Sequence, residues 1–497
     1  VTTIPHLLVG LLAVVVPGVL PALALIGRRA VAVFLAPIIG AVTIALGAAL
    51  SVLLGVSLLW GWVVVALIVN LGCVLLGRRL DHDPAALRTD PWTLLAAVIG
   101  AATATLWAGN RALSWDVHSF WYSRGRWFLL GPDYVREQLT SPFTSPYDGA
   151  LHAQYPLLPS AVPGLMWELT GEVDYFAAKI LMASVTGCAL VLLALAVARL
   201  MGRPQWFGRL GALVVPSAAL YFATLSSAQG HQDLPYAAAG EAALIFGLLL
   251  PRRSAELTVA VALSLMSGMV KNEGLVIAVL IALMVSVRYS QGRLVRFGCL
   301  AVPWLGALGA WRLVLKTLPS GPAPPAGVTQ GDQLDRLRPL PSPEISTLVH
   351  VAQAHVWWLV LPLLVGLVVL VVSRLPTVRL PAPLLQTLVV HAAVVVPLVA
   401  ATGVALKMGP GLPWRSLLAH TVRYATYPSL ALTVCLLTLA AVSLRIALGR
   451  PDDDPAATND YDSRMTEGSP GTSSSVPVLS RTSSTDRAGA SSRKTRP

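Results

Sequence analysis

Residues 114–159 read SWDVHSFWYSRGRWFLLGPDYVREQLTSPFTSPYDGALHAQYPLLP, a long polar interval in a first half otherwise built of apolar runs. Apolar stretches 93–109 and 177–198 flank it. A helix that crosses a bilayer needs about 20 predominantly apolar residues, so the interval reads as a large water-facing loop between two membrane spans. Asp116 and His118 stand just past the first of these spans, among Trp115, Trp121, Trp127, Arg124 and Arg126. Ionisable groups are costly at a membrane boundary and are candidates for function by default.

The rest of the chain supports that setting. Its 497 residues are 55% hydrophobic and only 12% charged, and the mean hydropathy is +0.69. A soluble chain typically carries about 25% charged residues, so this composition predicts an all-α, multi-pass bundle of transmembrane helices. Spans fall near 6–26, 31–52, 53–76, 93–109, 177–198, 210–225, 234–250, 256–270, 275–287, 297–315, 347–373, 384–406 and 422–447, about 13 helices by the length criterion. The formal charge of +12 does not indicate nucleic acid. Nucleic-acid binding needs a concentrated basic face, and here arginines occur singly and in pairs between apolar runs. The four cysteines are far apart, each in an apolar run, which suits small buried hydrophobes.

The arginines also orient the chain. Arg28 and Arg29, Arg78 and Arg79, Arg199 and Arg209, Arg252 and Arg253, Arg288 and Arg296, Arg374 and Arg379, and Arg445 and Arg450 fall in alternate connections. Basic loops face the cytoplasm. The expectation is a plasma-membrane protein with its N-terminus outside, its C-terminus inside and the loop at 110–158 outside. The first apolar run, ending in Arg28-Arg29, suits an uncleaved signal-anchor. Residues 1–92 are read as N-terminal spans and 93–316 as a membrane core. A Pro- and Gly-rich outer loop at 317–346 is expected to be mobile. Spans at 347–450 follow, and then a Ser-, Asp- and Thr-rich tail at 451–497 that is too polar to fold.

Candidate chemistry collects in the outer connections. Around Asp116 the tryptophans would lower polarity and raise the carboxylate's basicity, which suits a general base for a sugar hydroxyl; the plain alternative is a residue marking a helix end. His118 would share that task, hold a metal or sit at the surface. Arg124 and Arg126 would either hold a phosphate or snorkel to lipid headgroups. Phe120, Trp121, Arg124, Trp127 and Phe128 at helical spacing suggest a helix lying in the interface. Pro163 and Gly164 are expected to interrupt 159–176 into a half-helix. In SSAQGHQDLP, Asp233 reads as a helix cap, or with His231 as part of a metal pair. In Lys271-Asn272-Glu273-Gly274, polar groups between two spans must be used or paired with each other.

WDVHSFWYSRGRWFL, HAQYPLLPS, GHQDLP and VKNEGL, in this order between spans, resemble bacterial polytopic glycosyltransferases of the GT-C fold class. The resemblance covers roughly residues 93–290. It implies a lipid-linked donor, a polyprenyl-phosphate sugar, and a catalytic Asp in the first large outer loop, which Asp116 matches. His152 and Tyr155 match the family's HxDYP-like run, whereas Gln154 replaces its acidic residue; Arg124 and Arg126 stand where Lys is common. The function implied is inverting transfer of a sugar to an extracytoplasmic glycan or glycolipid acceptor. Asp116 would act as base, with Arg124, Arg126 and Lys271 on the phosphate and Asp233 and Glu273 positioning. A divalent cation is left open. Rival readings are a lipid-linked oligosaccharide flippase, which calls for mid-membrane charges in both halves, and a polysaccharide ligase or polymerase.

Overall fold

The computed structural model describes residues 3–27, 29–80, 87, 89–109, 117–140, 155–202, 205–222, 232–318, 382–406 and 426–447. Every regular element among them is helical. In chain order these are α1 (Thr3–Ile26), α2 (Ala30–Leu54), α3 (Leu58–Gly77) and α4 (Pro91–Gly109). A π-helical turn, Val117–Tyr122, leads into α5 (Ser123–Leu130) and α6 (Pro132–Thr140). Then come α7 (Leu158–Thr170), α8 (Tyr175–Met201), α9 (Gln205–Phe222) and α10 (Asp233–Leu244), the last extended by a π segment, Ile245–Leu249. The remaining helices are α11 (Ser254–Val270), α12 (Asn272–Ser290), α13 (Leu294–Thr317), α14 (Ala382–Leu406) and α15 (Thr426–Ala447). Each span expected from hydropathy has a helix beneath it, except 347–373, which lies outside the described residues together with 319–346 and 451–497. Six helices (α1, α2, α3, α8, α12 and α13) are long and apolar enough to cross a bilayer, and shorter apolar helices lie within α4, α11, α14 and α15. The described residues up to 445 form one compact unit.

The packing inverts the pattern of a soluble protein. On α1, Leu8, Leu12, Val16 and Leu20 are exposed while Gly10, Ala13, Gly18 and Ala22 are buried. Large side chains face out and small ones face in because hydrocarbon solvates leucine as well as a core does, so helices associate by close backbone approach. A Cβ built on Gly18 would lie 1.9 Å from Ala36 O, and one on Gly40 would lie 1.6 Å from Val14 O. Glycine is therefore required on both sides of the α1–α2 crossing.

Polar contacts sort the helix ends into two sets. At one end His6 meets Asp174 at 3.4 Å, Arg136 donates to Val52 O at 2.8 Å, and Glu168 accepts from Leu59 N. At the other Arg209 meets Asp90 at 3.0 Å, Arg199 meets Glu256 at 3.4 Å, and Arg288 donates to Gly247 O and Leu250 O. The second set carries the connections that the arginine pattern groups together.

Two local expectations change. The aromatic residues of α5 do not lie along a lipid interface: Trp127 and Phe128 are buried, and Gly125 packs against Gly164 of α7, where an added Cβ would come within 2.9 Å of backbone oxygen. Gly164 is thus a contact rather than a break, and α7 runs through Pro163 as a short, buried helix.

Proline leaves a further mark in α1. Pro21 has no N–H to give the carbonyl of Pro17, four residues back. Asn70 Nδ2 of α3 donates to that carbonyl at 3.1 Å. An unsatisfied buried carbonyl costs about 1–3 kcal/mol. Asn70→Leu should therefore lower thermal stability in detergent by that order, and the loss should largely vanish in a Pro21→Ala background, where the helix satisfies its own carbonyl. An equal loss in both backgrounds would refute this role for Asn70.

Candidate functional site

The Lys271-Asn272-Glu273-Gly274 tetrapeptide joins α11 to α12, and each of its four residues has a physical role. Lys271 is extended (φ −153°, ψ 158°), which breaks the helix and starts the next. Its Nζ lies 2.5 Å from Asp233 Oδ1 and 3.6 Å from Glu273 Oε1, and it sits 5.8 Å from the centre of the Tyr236 ring. Burial penalises the ammonium, but Asp233 and then Glu273 outweigh it and hold its pKa well above the ordinary value. Asn272 Oδ1 accepts from Arg312 of α13 at 3.0 Å. Gly274 has no room for a side chain, since a Cβ there would be 2.0 Å from Ser267 O.

Asp233 is fully buried and is the first residue of α10, with Gln232 in the capping position. Its carboxylate answers Lys271, so the residue that reads as a cap is one half of a buried ion pair. Such pairs are poor sources of net stability, yet removing one partner costs about 3–5 kcal/mol because the other charge is stranded.

Tyr155 brings in the third motif. It interacts electrostatically with both Lys271 and Arg312, and its ring meets Trp121 edge-on at 5.5 Å. Its carbonyl accepts two bonds from Arg124, at 3.3 and 3.4 Å. Arg124 is 1% exposed, and burial pulls its guanidinium down to about 9, still cationic at neutral pH. Arg124 therefore supports the Tyr155 backbone from inside the protein, whereas Arg126 on the same helix is exposed. The structure thus gathers Tyr155, Asp233, Lys271 and Glu273, with Arg124 behind Tyr155, and leaves Arg126 outside the group.

Asp116, His152 and His231 lie outside the described residues. His118 belongs to the π-helical turn, and its side chain is likewise outside the description. That turn directly follows Asp116 in sequence, and its Val117 and Trp121 are buried, so the chain leaving Asp116 is anchored to the Tyr155 cluster. Among the described residues, no group of three or more His, Cys, Asp or Glu side chains is placed to hold a metal ion.

Beside this cluster runs a narrow cleft lined by Ala49, Pro156, Leu157, Leu275, Trp311 and Arg312 among others. Arg312 supplies the charge in an otherwise apolar wall. Sequence reasoning missed this residue, although an arginine inside the apolar run LGAWRLVL was itself a signal. It also missed Glu241 and His391, each alone in an apolar run and meeting at 2.5 Å inside the bundle.

Comparison with family models, curated proteins and solved structures gives no match for this chain.

The ion pair makes a testable double-mutant cycle. Asp233→Leu and Lys271→Met should each destabilise the purified protein by about 3–5 kcal/mol. The double variant should regain much of that loss, since only Glu273, which is 13% exposed, then lacks its cation. Additive losses, read from thermal or denaturant unfolding in micelles, would show that the two residues do not depend on each other.

Proposed function

We propose that this protein is an integral-membrane glycosyltransferase that moves a sugar from a polyprenyl-phosphate donor to a glycan or glycolipid acceptor outside the membrane. The observation that carries the reading is the meeting of three separate sequence motifs, at Tyr155, Asp233 and Lys271–Glu273, beside an apolar cleft headed by Arg312. An anionic headgroup on a long hydrocarbon chain needs those two surfaces side by side. Arg312 and Lys271 supply positive charge, and Leu157, Leu275 and Trp311 supply an apolar wall.

In the proposed reaction an acceptor hydroxyl oxygen attacks the anomeric carbon while the bond from that carbon to the phosphate oxygen breaks. The configuration inverts, the hydroxyl proton passes to Asp116, and polyprenyl phosphate departs with the electron pair. Lys271 and Arg312 oppose the charge that grows on the leaving phosphate, the kind of pre-placed electrostatic support that lowers barriers most. Glu273 and Asp233 hold Lys271 in position; Arg124 acts at one remove by fixing the Tyr155 backbone. Arg126, exposed on α5, and His118 and His152, on segments flanking the site in sequence, are assigned to acceptor or headgroup contacts. The proposed address is the plasma membrane, with the Lys271 end of the bundle outward and the arginine-rich end cytoplasmic. A lipid-linked oligosaccharide flippase is the second reading, favoured by Glu241 and His391, titratable groups from the two halves of the chain that meet within the bundle.

The decisive assay is transfer from a synthetic polyprenyl-phosphate sugar by purified protein in proteoliposomes. General-base catalysis is worth about 10²–10⁴-fold, so Asp116→Asn should cut turnover by that order while donor binding persists. Arg312→Ala should instead weaken donor binding. Turnover by Asp116→Asn near the parent level would sink the mechanism, and movement of a lipid-linked sugar between leaflets with no transfer would favour the flippase. Orientation is checked separately. A reporter active only outside the cytoplasm should work when fused within 130–140 and fail when fused at 80; the opposite pattern would place the site on the wrong side for this donor.

A further inference from the structure

The pair formed by Glu241 and His391 lies apart from the Lys271 cluster. Glu241 is eight residues along α10 from Asp233, about 12 Å deeper into the bundle at 1.5 Å per residue. Glu241 is fully buried and His391 is 3% exposed. His391 Nδ1 sits 2.6 Å from Thr387 O, and its Nε2 sits 2.5 Å from Glu241 Oε1. A carbonyl oxygen only accepts, so Nδ1 carries a hydrogen. The Nε2–Oε1 contact requires one more, held by the imidazole or by the carboxyl. The other carboxyl oxygen, Glu241 Oε2, and the hydroxyl of Tyr427 are both buried, and the Tyr427 hydroxyl is a hydrogen-bonding neighbour of the Glu241 carboxyl. Oε2 therefore lies beside a hydroxyl that can either give it a hydrogen bond or, once Oε2 is protonated, take one from it.

The groups facing the pair can be named by element. From α10 come Glu241 itself and Tyr236; from α14, His391 and the Thr387 carbonyl; from α15, Tyr427 and Cys435. Around the neighbouring Gly240, α11 presents Ser267 and α12 presents Ile277, neither of which titrates in water. No second fixed charge appears in this set. A buried carboxyl–imidazole pair with its tautomer fixed and its second oxygen beside a hydroxyl can hold one proton, or two, with every donor matched to an acceptor: an added proton on Oε2 donates to Tyr427, whose hydroxyl turns from donor to acceptor.

We propose that Glu241 and His391 form a proton-binding site inside the bundle, shared between the core helix α10 and the C-terminal helices α14 and α15. The ligand is the proton, and its occupancy sets the net charge where the two halves of the chain meet. The site does not depend on the reaction at the Lys271 cluster. Tyr427 and Tyr236 lie near each other, and Tyr236 also lies beneath Lys271, so the two polar centres share one side of α10.

Infrared difference spectroscopy of the full-length protein in proteoliposomes, taken through a pH titration, tests this directly. A protonated carboxyl gives a C=O band separate from the carboxylate bands. The parent protein should show a titrating carboxyl band that Glu241→Gln removes. His391→Gln, which keeps a hydrogen-bond donor but no titrating ring, should move the midpoint by tenfold or more in proton concentration. Tyr427→Phe, the mildest of the three in shape, should shift the band's frequency by removing the partner of Oε2. Absence of any Glu241-dependent band, or a band whose midpoint and frequency ignore both His391→Gln and Tyr427→Phe, would overturn the proposal. Should either glutamine variant fail to purify in a monodisperse state, the frequency in Tyr427→Phe decides: a shift supports the site and an unchanged band rejects it.

Discussion

A buried ammonium has to be paired, and Lys271 is paired with Asp233 at 2.5 Å across two different helices. Much of the site follows from that requirement. For Lys271 to reach Asp233 the chain leaves α11, extends for one residue and re-enters a helix, which puts Asn272 opposite Arg312 and Glu273 beside Lys271. The re-entry is so tight that the fourth position admits only glycine, with Ser267 O against it. One electrostatic demand thus fixes the relative placement of α10, α11, α12 and α13, and it does so at the mouth of an apolar cleft.

The same rule, that polar groups in a low-dielectric bundle must be matched, governs the surrounding structure. Asn70 takes the carbonyl that Pro21 releases, and Arg288 takes the carbonyls left by the π segment at Gly247 and Leu250. Arg124 spends its guanidinium on the carbonyl of Tyr155. These contacts give the long cationic side chains structural work, which separates Arg124 from Arg126 although they are two residues apart in one short helix. Only the exposed one of the two is open to a lipid headgroup or a substrate.

The two polar centres differ in character. The Lys271 cluster lies at the helix ends, carries several charges and adjoins a cleft. The Glu241–His391 pair lies deeper, is enclosed, and joins the first half of the chain to helices α14 and α15. The second oxygen of its carboxyl lies beside the Tyr427 hydroxyl. Their common helix, α10, carries Asp233 of one centre and Glu241 of the other.

The helices were legible from sequence because crossing a bilayer is a one-dimensional demand: each span must be long and apolar by itself, whatever its neighbours. The polar motifs between spans were legible for the same reason, since Lys271, Glu273 and Asp233 stand out against the apolar runs around them. The partners were not. Whether Lys271 binds Glu273, two residues away, or Asp233, thirty-eight residues earlier, depends on how α10 rotates against the α11–α12 break. That rotation is set by close glycine contacts such as Gly274 against Tyr236 and Gly240 against Ser267. Arg312, Glu241 and His391 were visible as letters in apolar runs, but only packing gave each a partner. Hydropathy fixes where a helix lies in the chain; the direction its polar residue faces is decided by the shapes of the helices packed against it.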